Sequence, residues 1–261
     1  MDRILVRYLI LSDIHANLEA LDATLAAAGP YDRALVLGDL VGYGADPNAV
    51  IERVRALEGL TVIRGNHDKV GAGLEDVEGF NHLARHAIAW TATALTPDNK
   101  AWLAALARGP VVVDDIVEIC HGTPFDEDVY IFDDLDALRA LRVARRPLCL
   151  FGHTHVPAIF RLAAGPTESG RPRSEGELDT VGPPRGASTR VDLEPDVKYL
   201  INCGAVGQPR DGDSRAAYGL FDTETRALTM QRAPYDIAGA QAKIIAAGLP
   251  EVLAQRLALG R

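Results

Sequence analysis

The sequence predicts an α/β layered fold. Short apolar runs alternate with amphipathic helical stretches over the first two-thirds of the chain, strand-like runs recur from about residue 111, and two helical stretches close it. Of the 261 residues, 48% are hydrophobic, which is enough apolar content for a proper core.

Residues 8–11 read as the first strand and 18–28 as the helix after it, with the next strand at 34–37. Asp46 and Pro47 supply an N-cap and a first-turn proline for a helix to about residue 57. A third strand at 60–63 precedes a Gly-rich loop over 69–79. Helical stretches at about 80–95 and 97–107 follow, the second opened by Thr96-Pro97. Residues 111–113 and 116–120 form a hairpin pattern around Asp114-Asp115. A helix at 135–145 leads to strands at 148–151 and 158–162. Strands at 199–202, 217–221 and 228–232 complete the set, and the closing helices begin near Asp236 and Pro250.

Residues 163–198 differ from the rest, with five prolines, five glycines, many charges and no aromatic residue. Such a stretch cannot bury much, so it is expected to be a mobile excursion or a long β-ribbon. It interrupts two strand runs instead of separating two globular halves. The expectation is therefore a single domain over residues 1–261, with an insertion at about 163–198.

The formal charge of −9 disfavours long nucleic acid, which wants a basic stripe. Cys120, Cys149 and Cys203 are far apart and form no CxxC pair, so they read as small buried thiols in a reducing cytosol. Alternation along a strand points Cys120 away from its neighbour His121. The apolar run at 6–11 is short, contains Arg7 and ends at Asp13. No stretch approaches the roughly 20 apolar residues of a membrane span, so the expected location is the cytoplasm, with no membrane partner.

The chemistry gathers at strand ends. Ser12-Asp13-Ile14-His15 follows the first strand, Gly38-Asp39 the second and Gly65-Asn66-His67-Asp68 the third. His121-Gly122 follows the run at 116–120, and Gly152-His153-Thr154-His155 follows the run at 148–151. In α/β sheets ligands bind in the loops beyond the carboxyl ends of strands, so five such loops can converge on one site. In an extended segment a D-x-H or H-x-H pair puts both side chains on one side, where they can chelate one ion or straddle two. Imidazole suits Zn, Fe, Mn or Ni, and carboxylate or amide oxygen suits harder ions. Asp13, His15, Asp39, Asn66, His121, His153 and His155 are too many ligands for one ordinary ion. With one carboxylate bridging they divide into two sets, and two ions about 3.5–4 Å apart serve in-line displacement at phosphorus.

The order D-x-H, G-D-x-x-G, G-N-H-D, H-G and G-H-T-H resembles the calcineurin-like metallophosphoesterases, with Gly38-Asp39-Leu40-Val41-Gly42 as the second element. The stretch from Ile201 to Asp213 is similar to that of the bacterial and archaeal predicted-phosphodiesterase branch, with Cys203 and Ala205 as departures from its usual N-P-G-S-V-G-Q. The resemblance implies a four-layer α/β/β/α sandwich with the metals at the sheet edges. It implies that Asp13, His15 and His155 hold one metal, that Asn66, His121 and His153 hold the other, and that Asp39 bridges. It makes His67 the residue facing the leaving group, with Asp68 orienting it.

The implied activity is hydrolysis of phosphate esters, most of all phosphodiesters or nucleotides, by in-line attack of a metal-bound hydroxide. The cofactors would be two divalent or mixed-valence ions of Mn, Fe, Zn or Ni, and the partner a small phosphoester or nucleotide substrate. A phosphomonoesterase or protein phosphatase, and a metal-binding interaction module with little catalysis, are the alternatives. Elsewhere, His82 and His86 share a helix face and read as solvated. Arg64 and the Arg145-Arg146 pair read as surface charge, and the turn Gly42-Tyr43-Gly44 carries no assigned role.

Overall fold

The computed structural model describes residues 5–163, 177–181 and 186–261. The first half contains β1 (Arg7–Leu11), α1 (Leu18–Ala28), β2 (Arg33–Val36), α2 (Pro47–Arg55), β3 (Thr61–Val62), α3 (Asn66–Gly71), α4 (His82–Ala94) and α5 (Pro97–Ala104). It is followed by β4 (Val111–Val113), β5 (Val117–Ile119), α6 (Asp134–Val143), β6 (Leu148–Leu150), β7 (Ala158–Ala163) and β8 (Glu177–Val181). The remainder is β9 (Ser188–Asp192), β10 (Val197–Asn202), β11 (Ala216–Asp222), β12 (Ala227–Ala233), α7 (Ile237–Ala246) and α8 (Glu251–Leu259).

The strands form two six-stranded sheets, ordered β3-β2-β1-β11-β12-β9 and β4-β5-β6-β10-β7-β8. Alternation along each strand sends one set of side chains to each face. From β1, Tyr8 and Ile10 enter the core between the sheets, where they meet Ile119, Leu150 and Ile201 of the other sheet. Leu9 and Leu11 point the other way, against Leu21 of α1 and Ile51 and Val54 of α2. Behind the second sheet, Cys149, Phe160 and Leu200 pack on Ala137, Ala140 and Leu141 of α6. The result is helix, sheet, sheet, helix, as the family resemblance implied.

β1, β2 and β3 run parallel, as do β5, β6 and β10. Their carboxyl ends carry Asp13, Asp39, Asn66, His121, His153 and His155 in the loops that follow. Three local expectations change. The loop expected from residue 69 is shortened by α3, which opens at Asn66 behind the N-cap Gly65. The third strand keeps only two residues, and Ile63 bridges to Ala107. Within 163–198, β8 pairs with β7 on one sheet and β9 pairs with β12 on the other, so the described strands extend two sheet edges instead of pairing with each other. Residues 164–176 and 182–185 of that segment lie outside the described residues. Among the described residues no helix is long and apolar enough to cross a membrane.

Candidate metal centre

Glycines and left-handed backbone let the strand-end loops approach one another. A methyl group on Gly65 would overlap Asp39 Oδ1, and one on Gly152 would overlap Ser12 Oγ. The β1 and β2 loops are laced by Asp13 N–H to the Gly38 carbonyl at 3.1 Å and His15 N–H to the Asp39 carbonyl at 2.9 Å. Asp13, His15, Asp39, His153 and His155 have φ of 53°, 49°, 53°, 66° and 60°. Left-handed backbone costs a non-glycine residue about 1–3 kcal/mol and concentrates at functional sites. The D-x-H and H-x-H pairs therefore do not meet by alternation along an extended segment. Left-handed backbone at both members of each pair, with Ile14 or Thr154 between them outside that region, turns both side chains inward.

The side chains form two buried groups. Ligand-type atoms of Asp13, His15, Asp39 and His155 lie within 4.8 Å of one another, as do those of Asp39, His121 and His153. Asn66 joins the second group, with Oδ1 3.2 Å from His121 Nε2. Asp39 Oδ2 lies 3.5 Å from His15 Nε2 and 3.4 Å from His121 Nε2. Its other oxygen accepts the His67 backbone N–H at 2.9 Å. Asp13 Oδ2 accepts from Ser12 Oγ at 2.6 Å, and Oδ1 accepts His153 N–H at 3.1 Å.

Three imidazoles are oriented by the main chain. Nδ1–H of His15, His121 and His155 donates to the carbonyls of Val41, Leu37 and Gln208 at 3.0, 2.8 and 2.7 Å. That leaves Nε2 of the neutral His15 and His155 as a lone pair and turns Nε2 of His121 to the same side, the arrangement of metal-ligating histidines. His153 is reversed: its Nε2–H donates to the Asp128 carbonyl at 3.2 Å, which leaves Nδ1 to offer. His15 and His155 bring their Nε2 atoms to 3.1 Å. Two lone pairs at that distance need a shared cation, so the donor set fits divalent metal ions.

The electrostatics show the same need. Burial holds His15 and His155 well below the usual histidine range, and His153 down to about 3. Burial pushes Asp13 up to about 6. Burial alone would raise Asp39, but His121, His67 and His15 outweigh it and hold it well below the carboxylate range. For His121 burial opposes charge, yet the neighbouring Asp39 and Asp13 push it up to about 10. Without metal, a proton on His121 partly balances the carboxylates.

His67 lies beside the cluster. Its ring packs on Tyr43 and Phe80 at 4.6 Å each and on His15 at 4.8 Å, and burial lowers it to about 4. Its Nδ1 is buried against Gly42 with no hydrogen-bond partner. Asp68, expected to orient His67, makes its hydrogen bonds to main-chain N–H groups. Asp68 Oδ1 accepts the N–H groups of Leu40 and Val41 at 2.8 and 3.2 Å, and Oδ2 accepts Gly65 N–H at 2.9 Å. Asp68 accepts the N-cap N–H of α3 and ties the helix to the β2 loop.

Several neighbours carried no sequence signal strong enough to assign. Tyr43 packs on His15 at 4.7 Å, and Arg210 lies 5.7 Å over the Tyr43 ring. Arg210 N–H donates to the His155 carbonyl, and its side-chain Nε is buried without a partner. Tyr130 stacks on His153 at 3.8 Å. Two arginines read as surface charge also pair with buried carboxylates, Arg145 while remaining exposed. Arg64 pairs with the buried Glu127 at 3.0 Å, and Arg145 with the fully buried Glu118 at 2.9 Å. His82 and His86 are exposed on α4, away from the cluster. The three cysteines are free and buried.

The model of the calcineurin-like phosphoesterase superfamily domain matches residues 6–226. An uncharacterized protein of Methanocaldococcus jannaschii is 35% identical over 263 aligned positions, covering 97% of each chain. The crystal structure of a metallophosphoesterase from Sphaerobacter thermophilus superposes with a TM-score of 0.82 at 37% identity, covering 99% of this chain and 100% of that one. A hypothetical protein from Pyrococcus horikoshii shares the fold, with a TM-score of 0.74 at 20% identity over 98% of this chain and 99% of that one.

Proposed function

The chain belongs to the calcineurin-like phosphoesterase superfamily and is a metal-dependent phosphoesterase, and we propose that it hydrolyses phosphodiesters, nucleotide diesters among them, at a two-metal centre bridged by Asp39. The carrying observation is that Asp39 belongs to both buried groups, its Oδ2 within 3.5 Å of His15 Nε2 and 3.4 Å of His121 Nε2. Asp13, His15 and His155 would hold one ion and Asn66, His121 and His153 the other. Mn, Fe, Zn and Ni all suit these nitrogen and oxygen sets. When bound, the ions supply charge to the phosphoryl oxygens and acidify a water for in-line attack.

The chain's own groups orient and complete the reaction. Carbonyls of Val41, Leu37 and Gln208 lock three imidazoles in the ligating tautomer. Arg210, fixed through its backbone to the His155 loop and through Nη2 to Gln208 Oε1 at 3.0 Å, keeps its Nε without a partner and brings a guanidinium charge to a phosphoryl oxygen. His67 is neutral in the substrate-free protein, and its ring N–H donates to the departing oxygen as negative charge develops there.

The diester preference is supported by the likeness of residues 201–213 to the predicted-phosphodiesterase branch; a cleft of about 310 Å³ beside His67 gives the leaving group a place to sit. The test compares the metal-loaded protein on bis(p-nitrophenyl) phosphate and p-nitrophenyl phosphate. A higher kcat/KM on the diester is expected; equal or better turnover of the monoester would contradict the preference.

A further inference from the structure

The cleft is continuous with the proposed centre, because Asn66, His67 and His153 all line it. Its volume of about 310 Å³ is at the lower end of ordinary small-molecule sites. Three aromatic rings contribute to the lining: Tyr43, Phe80 and Tyr130. Tyr43 and Phe80 both pack on His67, and Tyr130 stacks on His153 with 37% of its surface still open. A flat group entering the cleft thus meets ring faces next to His67, the group that serves the departing oxygen.

The charges lining the cleft are unbalanced. Lys69 is the one lysine or arginine among the described lining residues, against the carboxylates of Glu75, Asp76 and Asp128. Lys69 is already held by two of these, with Nζ 2.5 Å from Glu75 and 2.5 Å from Asp128. It is buried and has little charge to offer a ligand. Asp76 is exposed and takes part in no ion pair among the described residues. A leaving group bearing phosphate on its far side would place that charge against this wall, where no lysine or arginine among the described lining residues is free to receive it.

We propose, resting on the two-metal phosphodiesterase reading, that this cleft is the leaving-group subsite and that it selects diesters whose leaving alcohol carries a ring and no negative charge. In the reaction the bond between phosphorus and the alcohol oxygen breaks and the bond to the water oxygen forms. The alcohol leaves as the neutral ring-bearing product, its oxygen taking up a proton that the attacking water gives up, and a phosphomonoester remains on the other side. Diesters with a nucleoside or aryl alcohol as the leaving group are of this class. Pyrophosphate-linked substrates, and diesters whose leaving nucleoside carries a further phosphate, are disfavoured.

The experiment uses the full-length, metal-loaded protein and two dinucleoside monophosphates that differ only in a terminal phosphate on the leaving nucleoside. The wild type is expected to show at least a roughly tenfold higher kcat/KM for the uncharged leaving group, and Asp76→Lys to narrow that ratio severalfold. Equal turnover of the two, or an Asp76→Lys ratio like the wild type's, overturns the proposal. Adenosine binding, followed by tyrosine fluorescence, reads the subsite without catalysis, and Tyr130→Ala is expected to weaken it severalfold. Adenosine binding that is absent, or indifferent to Tyr130→Ala, also overturns it. Adenosine binding of that kind without any diester turnover supports the subsite and sinks only the diester reading beneath it.

Discussion

His15 and His155 face each other with Nε2 atoms 3.1 Å apart, while each donates its Nδ1–H to a backbone carbonyl. Neither ring can turn away without giving up that bond. The pair is thus committed to sharing a cation, and the same commitment appears in the second group, where Asp39 and Asp13 push His121 up to about 10.

Metal loading should therefore release protons. His121 is protonated at neutral pH without metal and must become neutral to ligate. Its folded value is raised, so the proton is held more tightly as pH falls and competes better with metal. Metal affinity is expected to rise with pH across the range from 6 to 9 (about tenfold per unit for one displaced proton). Calorimetric titration in buffers of different ionisation enthalpy counts the protons; affinity independent of pH, with no proton released, would remove this account of His121.

His67 and Asp68 are neighbours with different work. His67→Ala is expected to lower kcat by about 10²-fold or more, the usual range for a lost hydrogen-bond donor to developing negative charge, with metal content nearly unchanged. Asp68→Ala strips the acceptor from three buried N–H groups, of Leu40, Val41 and Gly65. At about 1–3 kcal/mol for each unsatisfied buried donor, part of which water or local relaxation recovers, the loss is expected to be at least about 2 kcal/mol. That corresponds to a fall of about 4–8 °C in Tm for a chain of this size. Calorimetry beside steady-state kinetics separates the two; an Asp68→Ala protein of native Tm with only kcat impaired would restore the orienting role.

Arg210→Met is expected to raise KM for a diester and weaken inhibition by inorganic phosphate, each by about tenfold, as for the loss of one charge-assisted hydrogen bond. Metal content should stay at the wild-type value, because Arg210 reaches the cluster through Tyr43 and the His155 carbonyl and is not among its ligand-type atoms. Unchanged KM and phosphate inhibition would place the arginine outside the substrate's reach.

The layered fold was legible because alternation is a local signal: Tyr8 and Ile10 against Leu9 and Leu11 already divide the faces of β1. The centre was legible because each of its loops follows a strand end and carries histidine, aspartate or asparagine. How those pairs converge was not legible. Left-handed φ at Asp13 and His15 is a backbone property that an extended-segment reading passes over. The role of Asp68 was also hidden, since its three partners come from Leu40, Val41 and Gly65, two of them far off in the chain. Arg145 and Arg64 look like surface charges until tertiary packing brings Glu118 and Glu127 beneath them. Phe80 and Tyr130 belong to no motif, and only the folded chain brings them to one cleft.

Metal stoichiometry tests the central claim most directly. Elemental analysis of the purified protein after reconstitution is expected to find two ions per chain, falling to one or fewer in Asp39→Asn, with diester hydrolysis lost in parallel. A single ion in the wild type, or two ions retained with full activity in Asp39→Asn, would contradict a centre bridged by Asp39.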